Sequence, residues 1–140
     1  MVDALPGSPH VLRVLVVEDD RDCRDSIELL VKRSGHAVCA VENGLSGLAA
    51  LVDFRPDVAI VDIGLDGGMD GHEFARRVRA ATGNHGPYLI AFSGWGAEEV
   101  KAQAMSAGFD RYLQKIGTLD ELKISLGAVA ARNRDRPPRV

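Results

Sequence analysis

The chain is predicted to fold as an α/β domain built on a five-stranded parallel sheet, doubly wound, with helices on both faces. Three observations predict it. Apolar runs of strand length alternate with stretches of helical periodicity along the chain. The runs at 58–61 and 88–92 show no polar alternation, the pattern of strands covered on both sides. Strand-helix-strand repetition implies right-handed crossovers and therefore a parallel sheet.

Each element follows from local sequence. Val11 to Val17 is the first apolar run and stops at Glu18-Asp19-Asp20. Asp20 reads as the cap of the first helix, in which Cys23, Ile27, Leu30 and Val31 repeat at helical spacing. Gly35 stops that helix. Ala37 to Val41 is the second strand. After Asn43-Gly44, residues Leu45, Leu48, Ala49 and Val52 mark the second helix. Pro56-Asp57 leads into the third strand, Val58 to Val61, which ends at Asp62. Glu73 to Ala81 is the third helix, with Phe74 and Val78 on one face. Pro87 precedes the fourth strand, Tyr88 to Phe92. The fourth helix, from about Ala97 to Ala107, is rich in alanine and polar residues, so a weak grip on the core is expected. Arg111 to Gln114 is the fifth strand. Leu119, Leu122, Leu126 and Val129 stripe the fifth helix.

At 140 residues the chain suits one domain, expected over 11–131, with a short lead at 1–10 and a basic tail at 132–140. That tail holds four arginines and two prolines, a composition expected to be disordered. A net charge of -3 gives no basic field for nucleic acid, so no direct nucleic-acid partner is expected. No apolar stretch approaches the ~20 residues of a membrane span, so no membrane insertion is expected. Two cysteines, Cys23 and Cys39, make no disulfide framework and read as buried thiols, which fits a cytoplasmic location.

In open parallel sheets, ligands bind outside the carboxyl ends of the strands. The residues at those ends are Glu18 and Asp19, Asp62, Ser93 and Lys115. Three carboxylates on one rim repel each other unless a counter-charge relieves them. A hard cation such as Mg2+ does so through oxygen ligands. With that charge neutralised, Asp62 can act as a nucleophile toward a phosphoryl group. The Ser93 hydroxyl and Lys115 are placed to bind its oxygens.

This layout resembles the receiver domain of two-component response regulators. The residues that carry the resemblance are Val14-Leu15-Val16-Val17-Glu18-Asp19-Asp20, Pro56-Asp57 through Asp62, Met69-Asp70-Gly71, Ser93-Gly94 and Lys115. The resemblance implies a flavodoxin-like (βα)5 fold with strand order 2-1-3-4-5. It implies that Asp62 is the phosphoacceptor, loaded by a sensor histidine kinase or a histidine phosphotransfer protein. It makes Asp19 a direct ligand of Mg2+ (or Mn2+), Glu18 a mostly water-mediated one, and the backbone carbonyl of Gly64 a third protein ligand. Ser93 becomes the switch hydroxyl and Tyr112 the switch aromatic. An unnamed downstream protein would read the fourth helix, fifth strand and fifth helix. The expected role is a phosphoacceptor in phosphorelay signalling that promotes its own phosphorylation and slow dephosphorylation, without a dedicated small-molecule substrate. With no output module after the fifth helix, a stand-alone receiver is expected.

Two departures from the family pattern bear on these expectations. The proline usual four residues after the phosphoacceptor is replaced by Asp66, and the loop through Gly64-Leu65-Asp66-Gly67-Gly68 is one residue longer. A more mobile loop is expected, with Asp66 adding charge near the metal. After Lys115 stands Ile116 rather than proline, and a cis bond there would cost ~3 kcal/mol, so a trans bond is expected. Trp95, two residues past Ser93, is expected to report on the site and to hinder the hydrolysing water. The competing reading is a degenerate receiver that works as a phosphorylation-independent interaction module. An aspartate-based phosphatase is disfavoured, because its general acid would stand at Gly64.

Overall fold

Runs of valine, leucine and isoleucine without internal charge become the strands. The computed structural model describes residues 11–94, 96, 98–115 and 119–134. In it β1 (Arg13–Val17), β2 (Ala37–Val41), β3 (Val58–Asp62), β4 (Tyr88–Ser93) and β5 (Arg111–Gln114) form one sheet in the order β2-β1-β3-β4-β5. Every pairing is parallel. The helices between and after them are α1 (Arg21–Arg33), α2 (Gly44–Asp53), α3 (Gly71–Thr82), α4 (Glu98–Ala107) and α5 (Asp120–Arg134). The predicted fold class and strand order are those observed.

Successive side chains of a strand point to opposite faces, and that alternation splits the core in two. Leu15, Val17, Ala59, Val61, Leu89 and Ala91 pack with Phe74, Ala75 and Val78 of α3 and with Ala104 and Ala107 of α4. Val14, Val16, Val58, Ile60 and Ile90 pack with Ile27 and Val31 of α1 and with Leu122, Leu126 and Val129 of α5. Each fully buried aliphatic side chain contributes ~1.5–3 kcal/mol.

Asp20, Asn43 and Asp70 cap α1, α2 and α3 by accepting from Cys23 N–H, Ser46 N–H and Glu73 N–H at 2.8, 2.9 and 2.9 Å. The Asp70 cap starts α3 at Gly71, two residues ahead of the first helical residue read from sequence. A short 3-10 turn at Gly83–His85 was not foreseen. At the other end α5 runs to Arg134, into the segment expected as tail, and Arg132 sets its guanidinium 5.2 Å from the Tyr88 ring. In α4 the buried residues are Ala104 and Ala107, so its hold on the core is as slight as its composition suggested. No helix among the described residues is long and apolar enough to cross a membrane. The expectations for residues 1–10, for Trp95, for the Lys115–Ile116 bond and for the chain beyond Arg134 lie outside the described residues.

Candidate functional site

β1 and β3 are neighbours in register, Val17 beside Val61, so the residues that follow them meet at one rim. Glu18 is buried and its N–H continues the β1–β2 ladder to the Val41 carbonyl at 3.0 Å. Asp19 is half-buried, and Asp62 is 9% exposed. Carboxylate oxygens of Glu18, Asp19 and Asp62 lie within 4.8 Å of one another. On the other side β4 pairs with β3 so that Phe92 stands beside Asp62, which puts Ser93 one step further toward the rim. Ser93 is fully buried, and its carbonyl accepts from Lys115 N–H at 2.6 Å. The structure therefore brings together Glu18, Asp19, Asp62, Ser93 and Lys115 from four strand ends.

Lys115 is the counter-charge. Its Nζ lies 2.5 Å from Glu18 Oε1 and 3.3 Å from Asp62 Oδ1. Burial works against the lysine's charge, but the bond to Glu18 and the charges of Asp62 and Glu18 outweigh it and raise its pKa. Asp62 is pushed the other way from a usual carboxylate. Burial first, then the hydrogen bond and charge of Glu18, raise its pKa to about 6, against the pull of Lys115 and of the Gly64 N–H that bonds Oδ1 at 3.0 Å. A single ammonium is thus too little positive charge for three carboxylates. The donor set is all carboxylate oxygen, the chemistry that suits a hard divalent cation, so the residues fit Mg2+. Gly64 meets Asp62 through its N–H.

Sequence reasoning missed two residues. Arg24, one turn into α1, donates from Nη1 to the carbonyls of Glu18 at 3.0 Å and Asp19 at 3.5 Å, holding the backbone of the acid pair. Its signal was a basic residue one helical turn past an acid pair. Cys23 lies against Glu18, and burial followed by the bond to Glu18 raises its thiol pKa to about 12, so it stays protonated. Only the tertiary structure shows that neighbour.

The lengthened loop is anchored more firmly than expected. Leu65 and Met69 are buried, and the Asp66 N–H donates to Asp19 Oδ2 at 3.1 Å. Asp66 thus touches the site through its backbone. Gly67 and Gly68 adopt φ of +87° and +101°, conformations that favour glycine and absorb the extra residue. Tyr112 is half-buried beneath α4, and its hydroxyl is buried without a hydrogen-bond partner among the described residues.

Comparison with known proteins agrees with the fold. The response regulator receiver domain family matches residues 14–126. The response regulator MprA of Mycobacterium sp. (strain KMS) is 31% identical over 121 residues, covering 86% of this chain and 51% of that protein. MprA of Mycobacterium avium (strain 104) is 31% identical over 123 residues, covering 88% of this chain and 53% of that protein. The chain thus spans about half the length of these relatives. Among solved structures, the signal receiver domain of a modulated diguanylate cyclase from Desulfovibrio desulfuricans superposes with a TM-score of 0.74 at 29% identity, covering 89% of this chain and 97% of that one. The receiver domain of a Francisella response regulator shares the fold, with a TM-score of 0.79 at 24% identity and coverage of 87% and 98%. The family match over most of the chain places it in the class of phosphoacceptor signalling domains. The chain belongs to the response regulator receiver family of two-component systems.

Proposed function

We propose that Asp62 accepts a phosphoryl group from the phosphohistidine of a sensor kinase or phosphotransfer protein, in a Mg2+-dependent step. The observation that carries this reading is the cluster of Glu18, Asp19 and Asp62, the first and last of them buried, with Lys115 against Glu18 and Asp62. A carboxylate oxygen of Asp62 attacks phosphorus, an O–P bond forms, and the N–P bond breaks with the imidazole nitrogen leaving on its electron pair. Glu18, Asp19 and the Gly64 carbonyl, with Asp62 itself, would hold Mg2+ (or Mn2+), which supplies the positive charge that phosphoryl transfer requires. Lys115 and the Ser93 hydroxyl bind the phosphoryl oxygens in the product. Receiver domains work with histidine kinases and downstream effectors, and a cytoplasmic kinase partner fits this chain.

The product adds negative charge beside Ser93, and Tyr112 lies on the next strand beneath the weakly anchored α4. Movement of Ser93 toward the phosphoryl group frees space for the Tyr112 ring and shifts α4. A pocket of about 360 Å³ between α4, β5 and α5, lined by Lys101, Tyr112, Gln114 and Leu122 among others, lies on the face a downstream protein would read.

Incubation with acetyl phosphate and Mg2+ followed by intact mass tests the proposal. The expected result is one added phosphoryl group on wild type and none on Asp62→Asn. An unlabelled wild type, beside a labelled control receiver, would leave the phosphorylation-independent interaction module as the function.

A further inference from the structure

The outer edge of β2 is open, and its sequence is unguarded. β2 has β1 as its only neighbour in the sheet among the described residues. Edge strands are usually blunted by charge, proline or a bulge. Ala37-Val38-Cys39-Ala40-Val41 has none of these. The hydrogen bonds show which groups face outward. Ala37 N–H donates to Leu12 C=O at 2.9 Å and Val41 C=O accepts from Glu18 N–H at 3.0 Å, so Ala37, Cys39 and Val41 turn their backbone groups toward β1. In a parallel ladder the groups alternate, so Val38 and Ala40 present theirs to the open side.

The helix beside this edge is equally bare. Leu45 and Val52 of α2 are 70% and 76% exposed. Gly47 faces β1 and α3, where an added Cβ would meet Val17 and Phe74, and Gly44 faces Met69 in the loop before α3. At about 100° per residue, Leu45 and Val52 lie on the solvent side of α2, opposite the buried Gly47 and Ala50, and Leu45 borders a groove with Asp66, Gly67 and Met69. α2 carries no charge before Asp53.

We propose that two copies of this chain pair through β2, antiparallel about a twofold axis at Cys39, to form one continuous ten-stranded sheet. The occupant is a second copy because the strand is complementary to itself. Antiparallel pairing centred on Cys39 sets Val38 of one copy opposite Ala40 of the other, the two residues with outward backbone groups, and closes four hydrogen bonds. It sets Ala37 against Val41, neither of them charged. It also sets the His36 end of one strand beside the Glu42 carboxylate of the other, so no like charges face each other along the ladder. On the α1 side Glu28 acts on Cys39 and pairs with Lys32 at 3.3 Å, one charge of each sign.

Cys39 supplies the test. Residues opposite each other in a non-hydrogen-bonded antiparallel pair have Cα atoms ~4.5 Å apart, within reach of a disulfide. In the full chain carrying Cys23→Ser, mild oxidation is expected to yield a covalent dimer through Cys39, read as doubled intact mass. Analytical ultracentrifugation of the reduced protein should show a concentration-dependent dimer. Ala37→Lys places charge at an exposed position opposite Val41 of the other copy and should weaken that dimer by about tenfold or more. Leu45→Lys, on the side of α2 opposite the sheet, should leave it unchanged. Both variants should still accept phosphate from acetyl phosphate, which separates this inference from the proposed function. Three outcomes overturn it: a wild type that stays monomeric to ~0.5 mM, far weaker than specific pairing, a dimer that yields no Cys39 crosslink, or a dimer indifferent to Ala37→Lys.

Discussion

Asp62 combines two demands that oppose each other: burial at a strand end and a charge ready to attack phosphorus. Its folded pKa of about 6 stands above the ordinary value of 3.8. The folded protein therefore holds an extra proton between those values. The stabilising contribution is full below pH 3.8 and is lost as pH rises through about 6. Without divalent cations, Asp62→Asn is expected to raise unfolding free energy at pH 7 by ~1–3 kcal/mol, measured by urea denaturation in chelator. An unchanged or lower stability would show that Lys115 already neutralises the cluster. The same proton competes with Mg2+, so affinity should fall toward tenfold per pH unit below about 6, by calorimetry. A pH-independent affinity would remove Asp62 from the ligand set. Gly71 makes a second residue-scale test. A Cβ there would meet the Asp62 carbonyl oxygen at 2.5 Å and Ile63 Cα at 2.6 Å, backbone atoms that cannot step aside. Gly71→Ala should cost ~2–4 kcal/mol and lower phosphoryl yield with it.

At the scale of elements, α4 is the loose part, and the reasons are local. Two alanines hold it to the sheet, while its C-terminal end is pinned from α3. Arg79 donates to the Gly108 and Pro87 carbonyls at 2.9 and 3.0 Å and pairs with Asp110 at 2.6 Å. Motion of α4 should therefore concentrate in its N-terminal half. Hydrogen exchange by mass spectrometry is expected to be faster across Glu98–Lys101 than across Arg76–Arg79 of α3. Equal protection of the two would remove α4 as the moving element. Beneath α4 the Tyr112 hydroxyl is buried with no hydrogen-bond partner among the described residues, a cost of ~1–3 kcal/mol. Tyr112→Phe should thus stabilise the unphosphorylated protein by about 1 kcal/mol in urea titrations. A loss of stability would mean that the hydroxyl has a partner in solution.

For the whole molecule, a cation that binds only the folded chain must stabilise it by mass action. Mg2+ at a hundred times its dissociation constant should add ~2.7 kcal/mol to unfolding free energy. Thermal melts with and without the ion read this, and Asp19→Asn should abolish most of the gain. A gain that survives Asp19→Asn would place the ion elsewhere. The two halves of the core share one sheet, so the effect should reach α1 and α5 as well as the rim.

The sheet, its direction and the residues at its rim were legible in the chain's local patterns. Uncharged runs such as Val58-Ala59-Ile60-Val61 leave no solvent face, and the strand-helix rhythm leaves one handedness. The cap at Asp20 was equally legible, because a short acid before a helical stripe has one economical use. Contacts between residues far apart in the chain emerged only on folding. Lys115 reaches Glu18 across 97 positions, and Asp66 reaches Asp19 across 47. The length of the glycine loop could be read, but its anchoring by Leu65 and Met69 could not. Periodicity reports which face a residue occupies within its own element. Which partner it finds there depends on how separate elements pack, and local sequence carries no term for that distance.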